Sequence, residues 1–339
     1  MDMCSSAAEV SLSQIDVPSP RRTFVRQCCA LGTGLLAPWA LSGCAREEPV
    51  ALGIHPWPGY EPLYLAEKFG WLPPQARLVS LSNASDSIQR LRDRQIDGAC
   101  LTLDEVLRAR AEGIPLTVAL VFDESVGADV VLARPDIRSL KDLRGKRIAL
   151  EQSAVGNVVL HYLLERMEAD RASLQLVDLP PDRHLAAWQA GEIDAAISYE
   201  PIASHLVRAG AQRIFDSRQF PGVILDVLAV HSGHMKSQAS TWRALLQAYF
   251  RAIAHLRANR EDGLRRIAAL RNLTLAETEQ SFVGLNLPDR NANARMLSEE
   301  GDVARAARLL NALLHRQGLL PQADSLQALL THELLPADT

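Results

Sequence analysis

Apolar and polar positions alternate in blocks along most of this chain. Short apolar runs at 50–55, 76–81, 98–102, 116–122, 129–133, 147–150, 174–178, 194–198 and 225–230 are bounded by polar or glycine-containing turns and predict buried strands. Between them, 61–69, 84–94, 103–112, 157–168, 182–190 and 201–209 carry apolar residues three and four apart, the spacing of one helix face. Strands separated by helix-length segments predict parallel-rich sheets flanked by helices, an α/β fold. From Ser237 onward the pattern is almost wholly helical, with breaks at Pro288 and Pro321.

The pattern also repeats. Ile96-Asp97-Gly98-Ala99 and Ile193-Asp194-Ala195-Ala196 each turn a helix into a buried strand, and the two aspartates lie 97 positions apart. At the same offset Gly59 falls on Gly156, each just ahead of a helix. Two matches at one offset predict two similar lobes, each opening with a strand, a glycine-containing loop and a helix. The apolar stripe of 242–256 is then expected to pack on the first lobe.

Composition narrows the class. The 339 residues are 47% hydrophobic and 22% charged, with a formal net charge of −4, which offers no basic face to nucleic acid. No segment of the body reaches the roughly 18 apolar residues of a membrane span. The N-terminal region differs. Arg21-Arg22-Thr23-Phe24 stands directly before a mild apolar run at 28–41, resembling a twin-arginine export signal. Leu41-Ser42-Gly43-Cys44 resembles a lipobox, so 1–43 reads as a removable signal and 44–49 as a tether lipidated at Cys44. An ordinary secretory signal with a cysteine by chance at its cleavage site is the alternative. Of the five cysteines, at 4, 28, 29, 44 and 100, processing would leave Cys100 alone as a free thiol, which excludes an internal disulfide or thiolate metal cluster. Its apolar setting, Ala99-Cys100-Leu101, predicts a core position.

Four stretches together resemble the nitrate/sulfonate/taurine-type solute-binding proteins of ABC importers. They are Trp57-Pro58-Gly59-Tyr60-Glu61-Pro62-Leu63-Tyr64, the helix end at 91–99, Leu140-Lys141-Asp142-Leu143-Arg144-Gly145-Lys146, and Gly191-Glu192-Ile193-Asp194-Ala195-Ala196 with Glu200-Pro201. Arg94 stands where that family's helix end has glycine. The resemblance implies a type II periplasmic-binding-protein-like fold, with 50–128 plus 226–339 as one lobe and 129–225 as the other. It also implies a hinge near 127–131 and 224–228, and closure on a small-molecule ligand. The implied partners are an ABC permease and ATPase, with the membrane touched through the lipid anchor only and the protein a monomer.

In such a fold, ligands sit beyond the carboxyl ends of the strands and at helix N-termini. The candidates there are Trp57 and Tyr60, beside His55, in the first loop, Asn83 and Ser85 in the second, and Thr102 and Asp123 after later strands. From the second lobe come Glu151, Ser153, Asn157, Tyr199 and Glu200, with Asp226 at the second crossing. Trp57, flanked by prolines, suits stacking on a planar ligand; packing on its own lobe is the alternative. Asn83, Ser85 and Thr102 also suit plain helix capping, and Glu200 a helix dipole. The carboxylates outnumber the single strand-end cation, Arg134, which departs from a nitrate or sulfonate site and points to an amine-bearing, heterocyclic or zwitterionic ligand, with a sulfonate-type ligand as the alternative.

Two further classes compete. The fold also serves biosynthetic enzymes, but no zinc-ligand spacing, Gly-x-Ser-x-Gly elbow or phosphate loop is present, so neither catalytic residues nor cofactors are expected. A sensor feeding a membrane receptor would share every feature of a transport protein.

Overall fold

The computed structural model describes residues 48–151 and 155–337. The twin arginines Arg21 and Arg22, the lipobox Cys44 and the cleft candidate Ser153 lie outside the described residues.

The chain opens as β1 (Val50–Ile54), α1 (Glu61–Lys68), β2 (Ala76–Ser80), α2 (Ala84–Arg92), β3 (Gly98–Thr102), α3 (Leu103–Ala111) and β4 (Leu116–Ser125). It continues as β5 (Val130–Ala133), β6 (Arg147–Leu150), α4 (Gly156–Met167), β7 (Gln175–Asp178), α5 (Pro181–Gln189), β8 (Ala195–Ser198), α6 (Ile202–Arg208) and β9 (Gln212–Asp216). Then follow β10 (Leu225–His231), α7 (Ala239–Ala258), α8 (Arg260–Arg271), α9 (Leu275–Ser281), β11 (Leu285–Asn286), α10 (Arg290–Met296) and α11 (Asp302–Arg316).

The strands form two sheets, ordered β11-β4-β10-β3-β1-β2 and β7-β6-β8-β5-β9. Both are mixed. In the first, β1, β2, β3 and β4 run one way and β10 is inserted against them; in the second, β5 runs against β6, β7, β8 and β9. Of the reversed strands, β5 and β10 are the ones the chain enters on passing from one sheet to the other. Coming from the neighbouring lobe rather than through a crossover helix, they have no need to run parallel. Apolar runs fit this setting: β1, β3, β5 and β10 are buried along their whole length. β2 and β7, at the sheet edges, are partly exposed.

The internal repeat has a structural meaning. Asp97 accepts the backbone N–H of Ala51 at 2.7 Å while its own N–H reaches the Ala51 carbonyl at 2.8 Å. Asp194 repeats this on Arg147, accepting its N–H at 3.0 Å and donating to its carbonyl at 2.9 Å. Each carboxylate extends a parallel ladder by one rung beyond its strand. The turn before each aspartate needs a left-handed residue: Gly191 has φ 70° and Arg94, in the matching turn, φ 55°.

α7 packs its buried face, Trp242, Leu245, Leu246, Tyr249, Ile253 and Leu256, into the core, and the Tyr249 hydroxyl donates to the Phe122 carbonyl at 3.1 Å. Cys100 is buried and free. Among the described residues no helix is long and apolar enough to cross a membrane.

Candidate functional site

The two sheets meet where the chain passes between them. A cavity of about 20 Å³ lies there, lined by His55, Trp57, Ala84, Thr102, Glu105, Asp129, Val155, Tyr199, Ile224 and Asp226. That is about the volume of one water. Residues of both sheets come within contact distance across the cavity.

Local sequence explains how each wall is built. Pro58 begins a single 3₁₀ turn after β1, with Trp57 held extended before it at φ −158°. The Trp57 indole N–H then donates to Asp123 Oδ2 at 3.0 Å. Gly59 permits this: a Cβ there would lie 1.7 Å from Asp123 Oδ2 and 2.8 Å from the indole nitrogen. Tyr60 donates its hydroxyl to Asp226 and meets the His55 ring edge-on at 5.3 Å. Asp226 and Asp123 are direct cross-strand partners on β10 and β4. From the opposite lobe, Tyr199 at the end of β8 meets Trp57 at 5.3 Å with the rings 85° apart. Ser85, on α2, donates across the same gap to Glu151 at the end of β6, at 3.5 Å.

The electrostatics are one-sided. Glu105, Asp129 and Asp226 line the cavity from three separate elements, with Asp104 and Asp123 behind them, all buried. Among the described residues, no lysine or arginine lines it. Arg134, the strand-end cation, instead stacks on Trp188 at 4.4 Å and donates to the Trp188 carbonyl. Burial, and then the facing Asp123, pushes the Asp226 carboxyl well above its ordinary range. Burial does the same to Asp123, opposed by the Trp57 N–H. Burial and then Asp104 raise Glu105, and burial lifts Asp129 to about 7. Burial also lowers His55 to about 4, so it is neutral at pH 7. Asp123 Oδ1, Asp129 Oδ2 and His55 Nδ1 are buried with no hydrogen-bond partner.

Of the residues picked out from the sequence, Trp57, Thr102, Tyr199 and Asp226 line the cavity, and Tyr60, Asp123, Ser85 and Glu151 bond to it or across it. Others are used elsewhere. Asn83 caps α2, accepting from the Asp86 N–H at 2.9 Å. Glu200 accepts from both the N–H and the hydroxyl of Ser204, at 3.1 and 3.0 Å, at the start of α6. Asn157 accepts from Arg171 at 3.3 Å. Neither Glu105 nor Asp129 was among those candidates. Glu105 had a signal: with Thr102 it makes a Thr-x-x-Glu capping pattern, and its carboxylate accepts the Thr102 N–H at 2.8 Å. Asp129 lies on the passage between sheets, where no periodicity marks a site.

Two α/β lobes joined by two passages, with a cleft at their strand ends, are the architecture of the periplasmic-binding-protein fold. Residues 57–262 match the family model described as NMT1/THI5 like, and the chain belongs to that family. The likeness to nitrate/sulfonate/taurine-type binding proteins, drawn from the tryptophan loop and the repeated Ile-Asp turns, holds. The taurine-binding periplasmic protein of Escherichia coli (strain K12) is 28% identical over 111 residues, a match spanning 33% of this chain and 34% of that relative. In three dimensions the chain is similar to the periplasmic aliphatic sulphonate binding protein SsuA from Escherichia coli. That likeness has a TM-score of 0.70 at 18% identity and covers 86% of this chain and 94% of the other. The desulfurization enzyme DSZB shares the fold at a TM-score of 0.64 and 18% identity, covering 84% and 97%.

Proposed function

We propose that this chain is an extracytoplasmic solute-binding protein of an ABC importer, which captures a small ligand bearing a protonated nitrogen by hinged closure of its two lobes. The observation that carries the reading is the cavity at the lobe junction, walled by Trp57 from one side and Tyr199 from the other and floored by carboxyls. At about 20 Å³ it admits nothing larger than water, so ligand entry requires the lobes to part. In this reading 50–128 with 226–339 moves as one body and 129–225 as the other. The chain would be exported on its Arg21-Arg22 signal, anchored at Cys44, and would act as a monomer on a permease and ATPase. The taurine-binding and sulphonate-binding relatives support the transport role, while DSZB keeps an enzyme on this fold in view.

The test is a thermal-shift screen of the chain from residue 45 against amines, pyrimidines, sulfonates and inorganic anions. A ligand that binds only the native state raises the melting temperature by mass action. Trp57→Ala and Asp226→Asn are expected to remove that shift while leaving a cooperative melt. Variants that keep the full shift would place the ligand elsewhere, and steady turnover of the ligand would favour the enzyme.

A further inference from the structure

We propose that the cleft selects a net cation bearing at least two N–H donors, and turns away ligands whose charged group is a sulfonate. This rests on the solute-binding reading and narrows it. Three carboxyl groups, Glu105, Asp129 and Asp226, reach the cavity from the start of α3, the passage between sheets and the start of β10. Three acids from distant parts of the chain on one 20 Å³ space cannot be a solvated surface charge run. Among the described residues, none has a lysine or arginine beside it in the cavity wall.

The hydrogen-bonding capacity points the same way. Asp129 is 2% exposed and its Oδ2 has no partner; His55, 8% exposed, has an unpartnered Nδ1. Carboxylate oxygens accept only, and so does one ring nitrogen of a neutral imidazole. A buried acceptor without a donor is the expensive half of a missing hydrogen bond, and an ammonium or protonated ring nitrogen supplies that half. A sulfonate is all acceptor and keeps its charge at every working pH, so it offers these oxygens no donor and meets like charge wherever one of the carboxyls is ionised. Trp57 and Tyr199 form a right-angled aromatic corner at the same cavity, and ring faces attract cations. A quaternary ammonium would gain that attraction but could not donate to Asp129.

The experiment is isothermal titration of the processed chain at pH 7.5 with two pairs matched in size: benzylamine with benzenesulfonate, which are opposed in charge, and 1,3-diaminopropane with the zwitterion taurine, in which a sulfonate replaces one ammonium. Both amines are expected to bind at least tenfold more tightly than their sulfonate partners. Asp129→Asn and Glu105→Gln, checked for an unchanged circular dichroism spectrum and a cooperative melt, are expected to weaken amine binding at least tenfold. Sulfonate binding as tight as, or tighter than, that of the amines would overturn the charge selection and leave the solute-binding reading standing. Amine binding unaltered in both variants would overturn the role of these carboxyls. No saturable binding of any of the four would overturn the selection and count against the solute-binding reading itself.

Discussion

At the scale of single residues, two backbone positions carry sharp expectations. Arg94 sits in the left-handed region at φ 55° where the equivalent turn of the other lobe has glycine. A residue with a Cβ costs about 1 kcal/mol or more there. Arg94→Gly is expected to raise the melting temperature by about 2 °C without altering ligand affinity, as read by calorimetry. Gly59 is the opposite case, because any Cβ would collide with Asp123 and crowd the Trp57 indole. Gly59→Ala is expected to cost about 2 kcal/mol in urea unfolding and to abolish ligand-induced stabilisation, since it breaks the bond that aims Trp57. Trp57 and Tyr60 stand out in the chain because aromatic residues on a polar loop need a reason to be there, and Asp226 because it interrupts an apolar run. Asp129 does not stand out: its role depends on two sheets closing over it.

Secondary-structure elements were legible wherever burial was uniform. Fully buried strands such as β1, β3 and β8 show as runs, and helices such as α1 and α4 as three- and four-residue spacing. β9 escaped, because only Ile214 and Phe215 in Gln212–Asp216 are apolar and its burial is mixed. β4 runs on to Ser125, past the acids Asp123 and Glu124, because β10 supplies backbone partners that composition cannot show. The paired clamps Asp97 and Asp194 belong to this scale too. A bidentate contact with Arg147, at 3.0 and 2.7 Å, holds the Asp194 carboxyl down to about 2. A depressed carboxyl contributes stability that is present above pH 4 and is lost as pH falls toward 2. Asp194→Asn is therefore expected to flatten the stability profile between pH 4 and pH 2, as measured by urea melts across that range.

At the scale of the whole molecule, closure is the property to explain. The ion pair from Arg208 on α6 to Glu277 on α9 joins the two lobes at 3.1 Å, but its side chains are 52% and 36% exposed. Such a pair contributes at most about 1 kcal/mol, so it does not by itself hold the two lobes together. The carboxyls in the cleft cost free energy when they ionise in this buried setting. Asp129 is lifted to about 7 from an ordinary 3.8. Its protonated form therefore supports the fold fully below pH 4, and that support fades as pH rises to about 7. Native stability is expected to fall over that window and level off above it, with Asp129→Asn removing much of the slope. A cationic ligand meets ionised carboxyls only at the upper end, so its thermal shift is expected to be larger at pH 7.5 than at pH 5. Binding at pH 6 should also release protons, detectable by titration in buffers of different ionisation enthalpy.

What the chain alone determined was its local physics: which segments bury both faces, where turns need glycine, that two halves repeat, and that acids rather than bases crowd the strand ends. These follow from side-chain polarity and period, which neighbours along the chain already express. What only the tertiary structure decided was strand direction in β5 and β10, the partnering of Trp57 with Asp123 across 66 positions, and the meeting of Glu105, Asp129 and Asp226 at one cavity. The reason is that these depend on long-range closure, where residues remote in sequence lose water together, and no local pattern records which remote groups will share that loss.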